Sequence, residues 1–515
     1  MRSPLKRAPI PQVFIPFSQF YTDSMMDGTT SDEQKKAISK MPYSFNVNAE
    51  AKRIKSEYEK YNGKNVSVAG RIVGLRKAGK LLFIDIADST GKIQLYLDYS
   101  VIGEKLFDNA KRFNAGDIIG AKGKVFKTNP GEISINVSKY KQLAKALRPL
   151  PEKWKGLQDT ETRYRKRYLD IIVNQEIKEL FINRSIMVGL IRKFLDKKGF
   201  IEAETPVIQP LYGGADAEPF KVHVNTLDED DYLRISNELY LKRLIIGGLD
   251  KVYEIYKAFR NEDNDTTHSA EFTMIEWYQA YADYNKMMQL NEQMLKYLSK
   301  KIFGTTEIVF KENKINLEPP FRRIKFIDSI NEKVGKDVLA LSDEELFALA
   351  ESNGIRFDKG KRNRSHAYGK LLEVLVQPSI VQPTFVIDFP RETSPLTRPK
   401  RGNQRLTERF ELYICGMEIS NAYSELQNPF IQKENFLDEI KKSQEGDKEA
   451  EPLDMEFIEA MEYGMPPTGG LGMGIDRLAM VLFNKPSIKE VILFPMEKRR
   501  NDGNHAQTPD EAAVT

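Results

Sequence analysis

The chain has 515 residues, 41% hydrophobic and 30% charged, a composition that fits about two to four soluble domains with ample core. One cysteine, Cys415, excludes an internal disulfide framework, and four scattered histidines speak against a Cys/His zinc site, so any metal is expected to be a hard cation on carboxylates. The net charge of +4 hides an asymmetry: residues 46–150 carry 20 Lys+Arg against 10 Asp+Glu, which leaves about −6 for the rest. A basic first domain suits a polyanion partner, although a solvated charged surface has the same composition.

Residues 1–47 are expected to be a disordered leader; prolines at 9, 11 and 16 interrupt the apolar core that a secretory signal needs. No apolar run approaches the roughly 18 residues of a membrane span, and a reducing, cytoplasmic setting is expected from the cysteine usage. "NAEAKRIKSEYEKY" (48–61) reads as a charged helix. The stretch from Asn65 to Leu147 then alternates apolar and polar residues, with glycines at 70, 74, 79 and 91. Five or so short strands in about 80 residues predict a small all-β barrel, the OB-fold, over 48–150. That fold stacks bases on aromatics and follows phosphates with cations. Phe83, among Arg71, Arg76, Lys77 and Lys80, suits this, and equally suits a core position.

Residues 151–175 read as a linker, and 176–500 as an α+β domain with an antiparallel sheet flanked by helices. "SIMVGLIRKFLDKKGF" is an amphipathic helix that stops at Gly199 and runs into a predicted strand, "IEAETPVI". Residues 286–303 and a helical insertion at 327–375 follow, with a capping box from Ser342 to Glu345. "PTFVIDFP" (383–390) is a buried strand bounded by prolines, and 501–515 a polar, disordered tail.

Three stretches carry chemistry. "AFRNEDNDTTHSAEFTMIEWYQAY" (258–281) reads as strand, polar loop, strand, with Arg260 and Glu262 on one face and Phe272 after the loop. An arginine fork suits a phosphate and an aromatic suits a purine; a surface ion pair with a core Phe accounts for the same residues. "TGGLGMGIDRLAMVLF" (468–483) reads as a glycine-rich turn opening an apolar helix with an inward Arg477. It lacks the Lys-Ser/Thr of a P-loop, and "GMPPT" precedes it where a dinucleotide fingerprint needs a strand. "FELYICGMEISNAYSEL" (410–426) reads as a hairpin around Cys415-Gly416, with Asn421, Tyr423 and Glu425 on one face and Glu411 and Glu418 on either side of the turn, near enough in sequence to meet across it.

Three segments in chain order resemble the signature motifs of the class II aminoacyl-tRNA synthetases: "GFIEAETPVI" with Pro206, "FRNE…H…EFT", and "GGLGMGIDRL". "GGADAEPF" (213–220), "ISNELYLKRL" (235–244), "LTERFELYI" (406–414) and "EISNAYSELQNP" most closely resemble the lysyl branch of the aspartyl, asparaginyl and lysyl subgroup. The resemblance runs over 48–497. It implies ATP, L-lysine and tRNA(Lys) as substrates, Mg²⁺ as cofactor and a homodimer with Pro206 at its interface. It also implies an ATP site of Arg260, Glu262, His268, Phe272, Glu411, Gly474 and Arg477, with Arg260 and Arg477 catalytic. Metal ligands are then Glu411 and Glu418. The lysine site is Gly214, Glu238, Glu276, Tyr278, Asn421, Tyr423 and Glu425, and the anticodon contacts are Arg76, Phe83, Gln94 and Glu132. The chain departs from the pattern at Asp263, where the family usually has glycine, and at Ser269-Ala270, where it usually has Asn-Pro; a modest effect on nucleotide affinity is expected.

Rival readings are a sister enzyme charging aspartate or asparagine, a noncatalytic RNA-binding paralogue, and the truncated relative that lysylates elongation factor P. Carboxylates at 238, 276 and 425 disfavour the first, retention of Arg260, Arg477 and the metal carboxylates disfavours the second, and the basic barrel at 65–145 disfavours the third.

Overall fold

The computed structural model describes residues 35–498 apart from 37, 152–156 and 358–360. Most of the expected leader and the whole of the expected tail lie outside them. The chain divides into two compact units between Gln158 and Asp159.

In the first unit, strands β1 (Asn65–Ala78), β2 (Leu81–Ala87), β3 (Lys92–Asp98), β4 (Ile118–Lys127) and β5 (Ile133–Ala144) close a barrel in the order β1-β2-β3-β5-β4. The alternation is literal: Leu82, Ile84 and Ile86 fill the interior, while Leu81, Phe83 and Asp85 face outward. The last leader residues belong to this unit. The Phe45 ring lies over Gly120, and Ser67 Oγ donates to the Asn46 carbonyl at 2.5 Å, so the chain is tied to the barrel a few residues before the expected start at 48.

In the second unit the expected linker is structured. Helices α1 (Thr160–Arg165) and α2 (Arg167–Val173) occupy its second half, because Arg167 and Asp170 are buried and paired at 2.8 Å, and Arg167 also donates to carbonyls of Lys489 and Leu493. The central sheet has eight strands in the order β9-β10-β11-β12-β13-β8-β7-β6. In chain order these are β6 (Ile201–Glu202), β7 (Lys251–Phe259), β8 (Glu271–Ala280), β9 (Arg322–Lys325), β10 (Thr384–Ile387), β11 (Arg409–Ile414), β12 (Met417–Ser424) and β13 (Thr468–Gly474). The inner pairs are antiparallel, as expected, but β6 with β7 and β9 with β10 run parallel, so the sheet is mixed. The strand expected at 201–208 reduces to Ile201–Glu202 and Ile208–Gln209, because Thr205 leaves the sheet to bond Glu254 and Arg234.

Helices α3 (Gln175–Asp196), α5 (Tyr284–Phe303) and α9 (Ile475–Leu482) cover one face of this sheet. Ile275, Trp277, Phe410, Leu412, Ile419 and Met473 point into that layer. The opposite parity, including Glu276, Tyr278, Arg409 and Glu411, is thereby left for the other face. The insertion forms three helices, α6 (Phe326–Val334), α7 (Asp343–Ser352) and α8 (Arg364–Leu375), with the Ser342–Glu345 capping box in place. Between α3 and α5 in sequence lies α4 (Glu238–Ile246). Among the described residues no helix is long and apolar enough to cross a membrane.

Candidate active site

A cavity of about 400 Å³ opens on the uncovered face of the sheet, in the size range of small-molecule sites. Its floor is the glycine-rich stretch. Expected as a turn, it is strand β13, held between β12 and β8. Gly470 lies opposite Tyr278 on one side and Tyr423 on the other, and Gly472 opposite Glu276 and Asn421. A side chain here would fill the space between them: a Cβ on Gly470 would stand 2.2 Å from Glu425 Oε1 and 2.3 Å from Tyr278 Cε1. The glycines are therefore the missing side chains that make the cavity.

The hairpin β11–β12 turns at Cys415-Gly416 as expected, but Glu411 and Glu418 are not cross-strand partners. Glu411 faces Asn421 and Tyr413 faces Glu418, with a register shift between them. Residues 418 and 421 differ by three and belong on opposite faces of a regular strand; the bulge turns Glu418 to the same face as Asn421. Both carboxylates then line the cavity. Burial pushes the Glu411 carboxyl upward and Arg409, at 2.6 Å, opposes it, while Glu418 raises it further, as a neighbouring negative charge must. Two converging carboxylates of this kind fit a hard divalent cation. Arg477 completes this end: its Nη1 donates to the Glu418 carbonyl at 3.2 Å and lies 3.4 Å from Glu418 Oε2. Asp476 on the same turn of α9 ties the helix to β8, accepting from Thr273 N–H at 2.7 Å.

On the other side of β13, Arg260 leaves the end of β7 with its guanidinium 5.2 Å from the centre of the Phe272 ring. Its Nε is buried without a hydrogen-bond partner. Glu262 Oε1 accepts from Glu218 N–H at 2.9 Å, and His268 lies on the loop edge with Nδ1 3.0 Å from Asp265 Oδ2. The departing residues Ser269 and Ala270 are both buried, and the Ala270 carbonyl accepts from Arg260 N–H at 2.9 Å.

The deep end is acidic. Glu276 is 4% exposed and accepts from Ser236 Oγ at 3.0 Å, from Tyr278 at 2.9 Å and from Tyr256. Burial, with Glu238 as the next cause, pushes its carboxyl up to about 7. Gly214, with φ +82°, passes so near that a Cβ would meet Glu238 Cβ and Ser236 Oγ at 2.8 Å. Asn421 donates to Tyr423 OH at 3.0 Å and accepts from Arg409 Nε at 3.1 Å. Glu425 is set deeper, 1% exposed, and pairs with Lys242.

Of the residues expected for ATP, metal and lysine, all but Glu425 line this one cavity. Sequence reasoning passed over Arg409, whose signal was its shared parity with Glu411, and Lys242, four residues after Glu238 on a helix. The four expected RNA contacts lie in the first unit. Phe83 is on the outer face, edge-on to Tyr96 at 5.4 Å, and Tyr96 meets Phe126 at 5.4 Å, so a row of three half-buried aromatics crosses the barrel. Arg76 is exposed opposite Phe83; Gln94 is buried and accepts from Ser134 Oγ at 2.9 Å; Glu132 pairs with Lys55 at 2.9 Å. Pro206 is flanked in sequence by the exposed apolar residues Ile201, Val207, Ile208 and Leu211.

The second unit thus carries, on one face of an eight-stranded sheet, three arginines, paired carboxylates and a glycine floor, and the first unit is a closed five-stranded barrel. Residues 159–498 match the family described as tRNA synthetases class II (D, K and N), and 66–143 match the OB-fold nucleic acid binding domain. The chain belongs to the class II tRNA synthetases. It is 48% identical over 450 residues to a lysine–tRNA ligase of Thermoanaerobacter pseudethanolicus, covering 87% of this chain and 90% of the relative. It is likewise 48% identical over 451 residues to the lysine–tRNA ligases of Clostridium novyi, covering 87% of this chain and 88% of the relative, and Clostridium botulinum, covering 87% and 90%.

Proposed function

We propose that the chain is a lysine–tRNA ligase acting with ATP and tRNA(Lys). The observation that carries this reading is the acidic floor: Glu238 and Glu276 are buried in the lining of a cavity that also carries Arg260 and Arg477, and Glu425 is buried next to Gly470 of the same lining. A dicationic amino acid fits such a floor, whereas aspartate or asparagine needs cations or amides there. The lysine carboxylate attacks the α-phosphorus of ATP, pyrophosphate leaves, and lysyl-adenylate forms. A terminal ribose hydroxyl of the tRNA then attacks the activated carbonyl, and AMP leaves. Neither step needs a strong acid or base; both need alignment and charge neutralisation. Arg260 is placed to hold the α-phosphate and Arg477 the γ-phosphate. Phe272 stacks the adenine and Glu262 accepts from its amino group, with His268 and Gly474 at the edge of the nucleotide. Glu411 and Glu418 would hold Mg²⁺, which supplies charge neutralisation between phosphates. Gly214 and Glu238 receive the α-ammonium; Glu276, Tyr278, Asn421, Tyr423 and Glu425 surround the side chain.

ATP–pyrophosphate exchange with each of the twenty amino acids tests the reading. Exchange is expected with lysine; exchange driven by aspartate or asparagine instead would overturn it. Because a Cβ on Gly470 would overlap Tyr278 and Glu425, Gly470→Ala is expected to raise the KM for lysine by about 5- to 150-fold, the equivalent of an overpacking cost of 1–3 kcal/mol. A lysine titration of the exchange rate reads this, and an unchanged KM would place the floor elsewhere.

The first unit is the anticodon reader, with Arg76, Phe83, Gln94 and Glu132 at the bases. Phe83 is outside the barrel core, so Phe83→Ala removes stacking and spares the fold. Loss of about 1–3 kcal/mol of stacking should slow tRNA charging at low tRNA while exchange stays intact. Equal loss in both assays would assign Phe83 a structural role. The exposed apolar residues that flank Pro206 in sequence, Ile201, Val207, Ile208 and Leu211, support a homodimer, since an interface would cover them. Multi-angle light scattering should give twice the 59.2 kDa chain mass at micromolar concentration; an active species of one chain would refute it. The single cysteine and the reaction itself fit the cytoplasm.

A further inference from the structure

Lys242 is 1% exposed, among the most buried charged groups of the described residues. It sits one helical turn after Glu238 on α4, and its ammonium pairs with Glu238 Oε1 and lies 2.6 Å from Glu425 Oε2. Each carboxylate thus gives one oxygen to the same internal cation and keeps the other free of it. The approach to Glu425 is off the direction of a hydrogen bond, and both Glu425 oxygens are buried without one. Glu425 Oε1 stands at the gap left by Gly470. The two residues that Lys242 joins are those that receive the opposite ends of the substrate in the reading above.

From this geometry we infer that Lys242 is a positioning residue for the amino-acid site: a built-in cation that turns Glu238 and Glu425 so that each presents its second oxygen to one ammonium of the substrate. This rests on the lysine reading of the cavity. The charges support it. Three buried carboxylates, Glu238, Glu276 and Glu425, face a ligand with two ammonium groups, and a fourth, Glu451, is also buried nearby with an unpartnered oxygen. Tyr278 and Tyr423 are the other titratable groups packed there, and both are held neutral by burial. Burial alone drives carboxylates towards their neutral form, in which they bind a cation poorly. At Glu425 the fixed cation Lys242 opposes that shift.

Lys242→Met removes the charge and keeps most of the apolar stem; Lys242→Gln removes the charge and keeps donors. In pyrophosphate exchange both variants should show a KM for lysine raised about 30-fold or more, as when a buried charge loses its partner. The KM for ATP should be unchanged, and kcat at saturating lysine should fall far less than kcat/KM. Glu425, pushed up by burial and held down by Lys242, should titrate higher without that cation. Ionised carboxylates are needed, so the acid limb of kcat/KM for lysine should move to higher pH, and part of the loss should return as pH rises. A merely structural lysine would lower activity without moving that limb. Unchanged kinetics, equal loss for ATP and lysine, an unmoved acid limb, or failure of both variants to fold each overturns the inference. Wild-type exchange run alongside separates the two claims: if it does not depend on lysine, the reading of the cavity fails first.

Discussion

Glu425→Gln is expected to lower kcat/KM for lysine by about 30- to 4,000-fold, the equivalent of 2–5 kcal/mol for removing one partner of a buried charge pair. The residue is 1% exposed, its Oε2 meets Lys242 at 2.6 Å, and its Oε1 has no hydrogen-bond partner. The amide is nearly isosteric, so the loss isolates charge from shape. The fold should survive, because Lys242 keeps its pair with Glu238 one turn away on the same helix. The nucleotide end is built by other residues, Arg260, Phe272 and Arg477, so the KM for ATP should not change. Unchanged lysine kinetics in a folded Glu425→Gln chain would sink the assignment of this residue to the substrate.

Arg260→Ala is expected to suppress adenylate formation by about 100- to 1,000-fold, the usual cost of deleting one preorganised donor aimed at developing charge. Among the described residues no ion pair holds this guanidinium; it rests over the Phe272 ring with its Nε unpartnered. Its donors are therefore free to meet a phosphate, and removing them leaves no carboxylate stranded. The thermal midpoint should change little, as for substitutions outside packed networks. Stopped-flow or exchange measurements of adenylate formation, with circular dichroism as the control for folding, check this. Near-normal exchange would revive the noncatalytic reading of the chain.

The sequence by itself determined the barrel, the hairpin and the chemical identity of the cavity. Period-two alternation separates Leu82, Ile84 and Ile86 from Phe83 whatever the rest of the chain does, since side chains on a strand must point to opposite faces. The same rule put Asn421, Tyr423 and Glu425 together, and chain order joined Arg260, Phe272 and Arg477 into a recognisable set. Which face Phe83 occupies was open, because alternation says only that neighbours differ; barrel closure decided that it lies outside. Three further matters belonged to the tertiary structure alone. The glycines 470–474 carry no side-chain pattern, so only their pairing between β8 and β12 shows a strand and explains it as cleared space. The side on which Glu418 projects depends on a bulge that local sequence does not announce. The pairing of Lys242 with Glu425, 183 positions apart in the numbering, exists only because the fold brings α4 to the residue that follows β12, and a burial cost shared between distant charges is not visible in either segment alone.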